Sequence, residues 1–294
     1  MWSLALMFGC GEKDDSVDTA SSSVVTTPEL DEGNECGGES VTGIPLGNID
    51  CLNERCTVES GPFWMGSDFA VAECPIHEVV LSTFDIDQYE VTLEDWQRCV
   101  NQGRCSDLPA HCTGPLYNRP DFSNQFPVIC VTWQQASAYC QGIGGRLPTE
   151  AEWEKAASGT DGAKWAWGAL APDCDDANFR LASIYCSPGI RPVGWYSESV
   201  SAFGLYDVNG NVFEWTADWY DPTFYKDSPE LDPVKESGTC GLTSDGQDME
   251  CINRVLRGGA YNTTEATIRN ASRSFALPEL VDVNVGFRCA YDVQ

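Results

Sequence analysis

The chain has only two histidines, His77 and His111, and 17 lysines and arginines against 45 aspartates and glutamates. Two distant histidines cannot build a His-rich metal centre. Neither lies in a nucleophile motif, so a Ser-His-Asp or Cys-His hydrolase has no evident base. A net charge of −28 at pH 7 excludes electrostatic binding of nucleic acid or of an anionic membrane surface. It fits an extracytoplasmic protein that attracts cations, and solubility alone accounts for it equally well. There is no Cys-x2-Cys pair for zinc, and Gly258-Gly259 is no phosphate loop. No tandem repeat occurs, and no segment approaches the length of a membrane span.

Cysteine is abundant by contrast, with 15 residues in 294. That number points to disulfides and an oxidising compartment. The odd count directs attention to the N-terminus, where MWSLALMFGC is a short apolar run ending at Cys10. It resembles the end of a bacterial lipoprotein signal, which would make Cys10 the lipidated residue, leave 14 cysteines to pair, and make a lipid anchor the only membrane contact. A cleaved ordinary signal or a buried N-terminal strand is the alternative. Pairing does not follow from sequence; short spacing suggests Cys174–Cys186 and Cys240–Cys251.

Residues 1–10 are thus expected to be a signal and 11–35, rich in Ser, Thr, Asp and Glu, a disordered tether. Residues 36–56 form a cysteine-containing lead-in and 57–294 the main domain. The stretches around Phe63 and from Glu78 to Thr92 alternate apolar and polar residues as half-buried strands do. Three helices carry capping boxes. Thr92 with Asp95 opens one that buries Leu93, Trp96, Cys99 and Val100. Thr132 with Gln135 opens a second, burying Trp133, Ala136, Tyr139, Cys140 and Ile143 and ending at Gly144-Gly145. Thr149 with Glu152 opens a third, with Trp153, Ala156 and Ala157 inward. No convincing long helix follows Gly159.

The stretch GLYDVNGNVFEWTADWY, Gly204 to Tyr220, places Asp207, Asn209, Asn211 and Glu214 close together around an Asn-Gly turn. Two carboxylates beside inward carbonyls suit calcium; a hairpin with solvated acids is an equal reading. The segment resembles the GLYDMxGNVWEW signature of the sulfatase-modifying-factor family, to which the formylglycine-generating enzymes belong. GPFWMGS (61–67), RLPTEAEWEK (146–155) and RGGAY…NVGFRC (257–289) match further family segments in the same order.

The resemblance implies an α+β fold: a formylglycine-generating-enzyme-like variant of the C-type lectin fold, low in regular secondary structure and rich in disulfides. It implies a Cys140–Cys289 bridge and a structural role for His77. It also implies a structural calcium at Asp207, the carbonyls of Gly210 and Val212, and Glu214, with a second, weaker site beginning at Asn178 and Phe179. Family oxidases hold copper(I) with two cysteines five residues apart, shortly after Arg-Gly-Gly-Ser. Here Ala260 replaces the serine, the two cysteine positions fall on Thr263 and Ile268, and no cysteine lies between Cys251 and Cys289. Copper is therefore not expected. The iron cluster of the related sulfoxide synthases is excluded by the two histidines. Lectin-like members suggest instead a ligand face at Tyr261, Asn262, Thr264, Glu265, Arg269, Asn270, Arg273 and Phe275, for a peptide, protein or glycan. Arg269 or Arg273 paired with a core acid such as Glu214 is an equal reading. The expectation is a non-catalytic binding module or divergent relative; the alternative is a formylglycine-generating-type oxidase or another divergent enzyme.

Overall fold

The computed structural model describes residues 25–26, 47–113, 124–242 and 247–293. Cys10, the signal, nearly all of the tether and the first part of the lead-in lie outside the described residues. Within the tether, Thr26 exchanges two backbone hydrogen bonds of 2.9 Å with Phe275.

All three expected helices form where their caps predict. They are α1 (Leu93–Asn101), α3 (Trp133–Gly142) and α4 (Glu150–Ser158), each opened by a complete capping box; the short α2 (Ala110–Thr113) was not expected. Helix α4 departs from a one-faced helix because all nine of its residues are buried. Glu150 and Glu154 face the buried Arg257 and Arg273, and Glu152 pairs with the half-buried Arg146, so the polar side needs little water.

One sheet runs β1 (Cys51–Leu52), β2 (Arg55–Val58), β5 (Phe84–Asp87), β14 (Ala290–Asp292). Strand β2 pairs with β5 over its whole length, so the chain is integrated into the domain before residue 57. A hairpin joins β3 (Gly61–Met65) to β4 (His77–Leu81). The second sheet has the order β12 (Ser274–Ala276), β11 (Arg254–Arg257), β8 (Phe213–Trp219), β13 (Val285–Gly286). Small hairpins pair β6 (Arg180–Leu181) with β7 (Ile184–Tyr185), and β9 (Thr239–Leu242) with β10 (Asp248–Glu250). The Asn209-Gly210 turn is no hairpin. It feeds the central strand β8, whose neighbours β11 and β13 come from far along the chain.

Loops outweigh ladders, and covalent links hold them. Cys140–Cys289 ties α3 to the segment before β14; Cys174–Cys186 and Cys240–Cys251 also form, with Cys51–Cys56, Cys99–Cys105 and Cys112–Cys130. The largest apolar cluster packs Trp96, Tyr139, Trp215 and Phe287 between α1, α3 and β8.

Candidate functional site

The loop before β8 is buried, and its polar side chains are turned inward. Asn209 donates to the carbonyl of Ile268 (2.6 Å) and to Asn270 Oδ1 (2.8 Å), and accepts from the Ala166 N–H (2.9 Å). Asn211 donates to Glu90 Oε2 at 2.7 Å and accepts from the Arg191 N–H at 2.8 Å. Gly210 has φ 104°, and a Cβ there would lie 2.3 Å from the Asn178 carbonyl. Only glycine permits this approach. The reading with solvated acids is therefore excluded: Asp207 and Glu214 are both buried.

Both carboxylates of the donor set expected for calcium already accept hydrogen bonds within the protein. Glu214 Oε2 accepts from Arg288 Nε (2.7 Å) and Trp153 Nε1 (2.8 Å), and Oε1 accepts from Arg288 Nη2 (2.8 Å). Arg288 thus supplies Glu214 with a counter-charge. Asp207 Oδ2 accepts from the Gly194 N–H at 2.6 Å, and burial pushes its carboxyl up to about 6. At the second site the Asn178 and Phe179 carbonyls accept from Asn211 and Cys186 N–H groups. However, Asn178 Oδ1 and, nine residues on, Ser187 Oγ are buried without a hydrogen-bond partner. An unpartnered buried oxygen of this kind fits a water or a cation. Among the described residues, the one grouping of three His, Cys or acidic ligand atoms within reach of one ion is His111, Cys112 and Cys130. Its two sulfurs form a disulfide, which leaves no thiolate.

The positions expected for copper thiols carry none. Thr263 Oγ1 donates to the Ala260 carbonyl at 2.9 Å and accepts from its N–H at 3.0 Å. Ile268 is fully buried against Trp165, Ala177 and Phe179. Every described cysteine is disulfide-bonded. A copper(I) ion has no fit here.

The expected ligand face divides. Arg269, Asn270 and Arg273 are buried and leave it. Arg269 forms two bonds of 2.7 Å to Glu73, and Arg273 bonds Glu150 from Nε at 2.7 Å and Nη2 at 2.8 Å. The arginines do pair with core acids, but with Glu73 and Glu150 rather than Glu214, which belongs to Arg288. Asn270 bridges the Ala157 and Ala163 carbonyls to Asn209. Phe275 stacks on Tyr220 at 4.1 Å, and its backbone is the partner of Thr26. Tyr261, Asn262 and Thr264 are half-buried and Glu265 is exposed. They lie beside the β6–β7 hairpin, where the Arg180 N–H donates to the Thr263 carbonyl at 2.7 Å. The exposed Ile184 and Tyr185 of that hairpin were not expected; their signal is an Ile-Tyr pair just before Cys186. His77 packs on Tyr225 with its ring nitrogens near Pro75 O and Ser228 Oγ, a structural setting. Glu90, just before the α1 cap, was also missed.

Residues 49–293 match the family described as the sulfatase-modifying factor enzyme 1-like domain. The formylglycine-generating enzyme of Streptomyces coelicolor is 32% identical over 287 residues, covering 79% of this chain and 87% of that enzyme. The serine/threonine-protein kinase Pkn1 of Chlamydia trachomatis is 36% identical over 257 residues, covering 83% of this chain but 39% of that protein. The chain thus spans about two fifths of the kinase-named relatives it matches. The solved structure of PvdO from Pseudomonas aeruginosa superimposes with a TM-score of 0.64 at 23% identity, over 85% of this chain and 99% of that one. That likeness is one of fold.

Proposed function

Because the chain belongs to the sulfatase-modifying factor enzyme 1-like domain family, we propose that it is a member without copper chemistry: a disulfide-built binding module working outside the reducing cytoplasm. One observation carries the reading. Thr263 and Ile268 stand where the family's oxidases hold two thiols, and both are fully engaged in local packing and hydrogen bonding. The disulfides support an oxidising compartment, and no helix among the described residues is long and apolar enough to cross a membrane. Anchoring through Cys10 belongs to the same reading; Cys10→Ser should move the protein from the membrane to the soluble fraction, and unchanged fractionation removes the anchor.

The ligand face of this reading is Tyr261, Asn262, Thr264 and Glu265 with Ile184 and Tyr185 beside them. It offers hydrogen-bonding groups next to exposed apolar surface, a combination suited to a peptide or glycan. Calcium belongs to the same reading, at the site that begins with Asn178. The kinase name of the Chlamydia relative adds no phosphoryl chemistry here, since this chain matches well under half of that protein.

The test is to supply the purified, oxidised protein with copper(I), oxygen and a cysteine-containing sulfatase-motif peptide, beside an active family oxidase. Mass spectrometry should find unconverted cysteine. Formylglycine would overturn the proposal and favour the oxidase reading that the Streptomyces relative suggests.

A further inference from the structure

A cleft of about 670 Å³ opens where the β4–β5 loop, α3, the segment leading into α4 and the start of β11 meet. No residue of the Tyr261 face lines it, and the inference does not depend on that face. Arg254, the first residue of β11, reaches the cleft from between two tryptophans. The Trp133 and Trp219 rings each lie 3.7 Å from its guanidinium carbon. Trp133 lines the same cleft, as does Ala217, whose carbonyl accepts from Arg254 Nη1 at 2.6 Å.

Five arginines are buried among the described residues, and Arg254 alone of them has no carboxylate partner. Arg273 gives its Nε and Nη2 edge side-on to Glu150, and Arg288 gives the same edge to Glu214. That edge of Arg254 holds nothing. Its Nε is buried without a hydrogen-bond partner. Its Nη2 has none either but, unlike Nε, is not enclosed, so it is the donor that the cleft can reach. The tryptophan faces stabilise the charge from either side, yet they leave the in-plane N–H groups without acceptors. Burial, opposed by the Asp218 charge, pulls the guanidinium down to about 10, so it stays charged at neutral pH.

We propose that this cleft binds a singly charged carboxylate on an apolar body, the carboxylate accepting from Arg254 Nη2 and supplying the counter-charge that the other buried arginines find within the fold. Leu81, Phe84, Leu147, Val234 and Val293 give the body apolar surface, and the volume suits a small organic ligand. The remaining charges of the cleft narrow the class. Glu152 and Asp292 are held by Arg146 at 2.6 and 2.8 Å. Asp232 accepts from the Ser82 N–H and hydroxyl at 2.7 Å each, and Glu236 is exposed. These acids oppose a ligand of higher negative charge, such as sulfate or a phosphate ester. A neutral carbonyl would satisfy the N–H but leave the guanidinium without a counter-charge. The carboxylate comes either from a peptide C-terminus or from a free organic acid.

Calorimetric titration of the full, oxidised chain distinguishes these sources. The probes are Nα-acetyl-leucyl-leucine, 4-methylpentanoate, the neutral isostere Nα-acetyl-leucyl-leucinamide, and sodium sulfate. At least one carboxylate probe should saturate, and the tighter of the two identifies the source. The amide should bind more weakly by about tenfold or more, and sulfate should not compete. Arg254→Met keeps an apolar chain between the tryptophans but removes the charge, and should weaken carboxylate binding by about tenfold or more. Ser137→Tyr leaves Arg254 in place, fills the cleft from its α3 wall and should weaken binding as strongly; it decides if Arg254→Met does not fold. No carboxylate binding, equal binding of the amide, competition by sulfate, or full affinity in a folded Arg254→Met or Ser137→Tyr variant would each overturn the proposal.

Discussion

Replacing Glu150 tests how this fold is held together. Glu150 is 2% exposed at the start of α4. Its Oε1 accepts from Arg257 Nη1 (2.8 Å) and Arg273 Nε (2.7 Å), and its Oε2 from Arg273 Nη2 (2.8 Å). Burial pushes its carboxyl up, yet Arg273 and Arg257 together outweigh burial and hold it below the ordinary value. Arg257 keeps a second carboxylate, Glu154. The other bonds of Arg273 go to the neutral carbonyls of Ala72 and Asp221. Glu150→Ala therefore leaves a buried guanidinium without a counter-charge, a change that costs about 3–5 kcal/mol. For a domain of this size that lowers the melting temperature by roughly 6–20 °C. Glu150→Gln keeps the volume and one acceptor and should cost less, about 1.5–3 kcal/mol. Combining Glu150→Gln with Arg273→Met removes both charges and should recover part of the loss. Urea unfolding of the oxidised protein measures all three. A Glu150→Ala variant within about 1 kcal/mol of the parent, well below the cost of a stranded buried charge, would refute this account of the core.

Stability should also fall as pH rises from about 4 to about 7. Burial, reinforced by the nearby Glu150 charge, pushes Asp218 up to about 7, and burial pushes Asp87 up to about 6. The folded chain holds these protons more tightly than the unfolded one, so their contribution is complete below the ordinary aspartate range and lost as pH passes the folded values. Glu150 and Asp221, held below their ordinary values, act only at lower pH. Stability that climbs steadily through this window would contradict the assignment; denaturant midpoints at several pH values measure it. For calcium, EDTA should lower the melting temperature of the parent but not of Asn178→Ala. An unchanged parent removes calcium from the proposed function.

The features legible in sequence are those whose partners lie close along the chain. Thr92–Asp95, Thr132–Gln135 and Thr149–Glu152 sit three residues apart, and each forms its box. Cys174–Cys186 and Cys240–Cys251 close over 12 and 11 residues. Cys140–Cys289, across 149 residues, came only from the family resemblance. The candidate site is least legible where the deciding partner is remote. Nothing local to Glu214 says that Arg288, 74 residues on, binds both of its oxygens. For Arg273 the ligand-face and core-pairing readings stood equal, because Glu150 is 123 residues away, on a helix face that ought to be wet. The buried Glu90 gives no local signal beyond an acid just ahead of a helix cap.

That a chain so poor in bases buries Arg257, Arg269, Arg273 and Arg288 follows from its shortage of ladders. Loops leave carbonyls without strand partners, and burying them unpaired is costly. A guanidinium has five donors fixed in a plane, so one arginine can neutralise a carboxylate and still serve several carbonyls. Arg288 binds those of Asp87, Gln88 and Tyr206; Arg273 those of Ala72 and Asp221; Arg257 that of Asn270; and Arg269 that of Ala266. Lysine, with three donors on a flexible stem, would hold fewer of these at fixed angles. The core therefore takes four of the 17 basic residues, with Glu214, Glu150, Glu154 and Glu73 as their counter-charges.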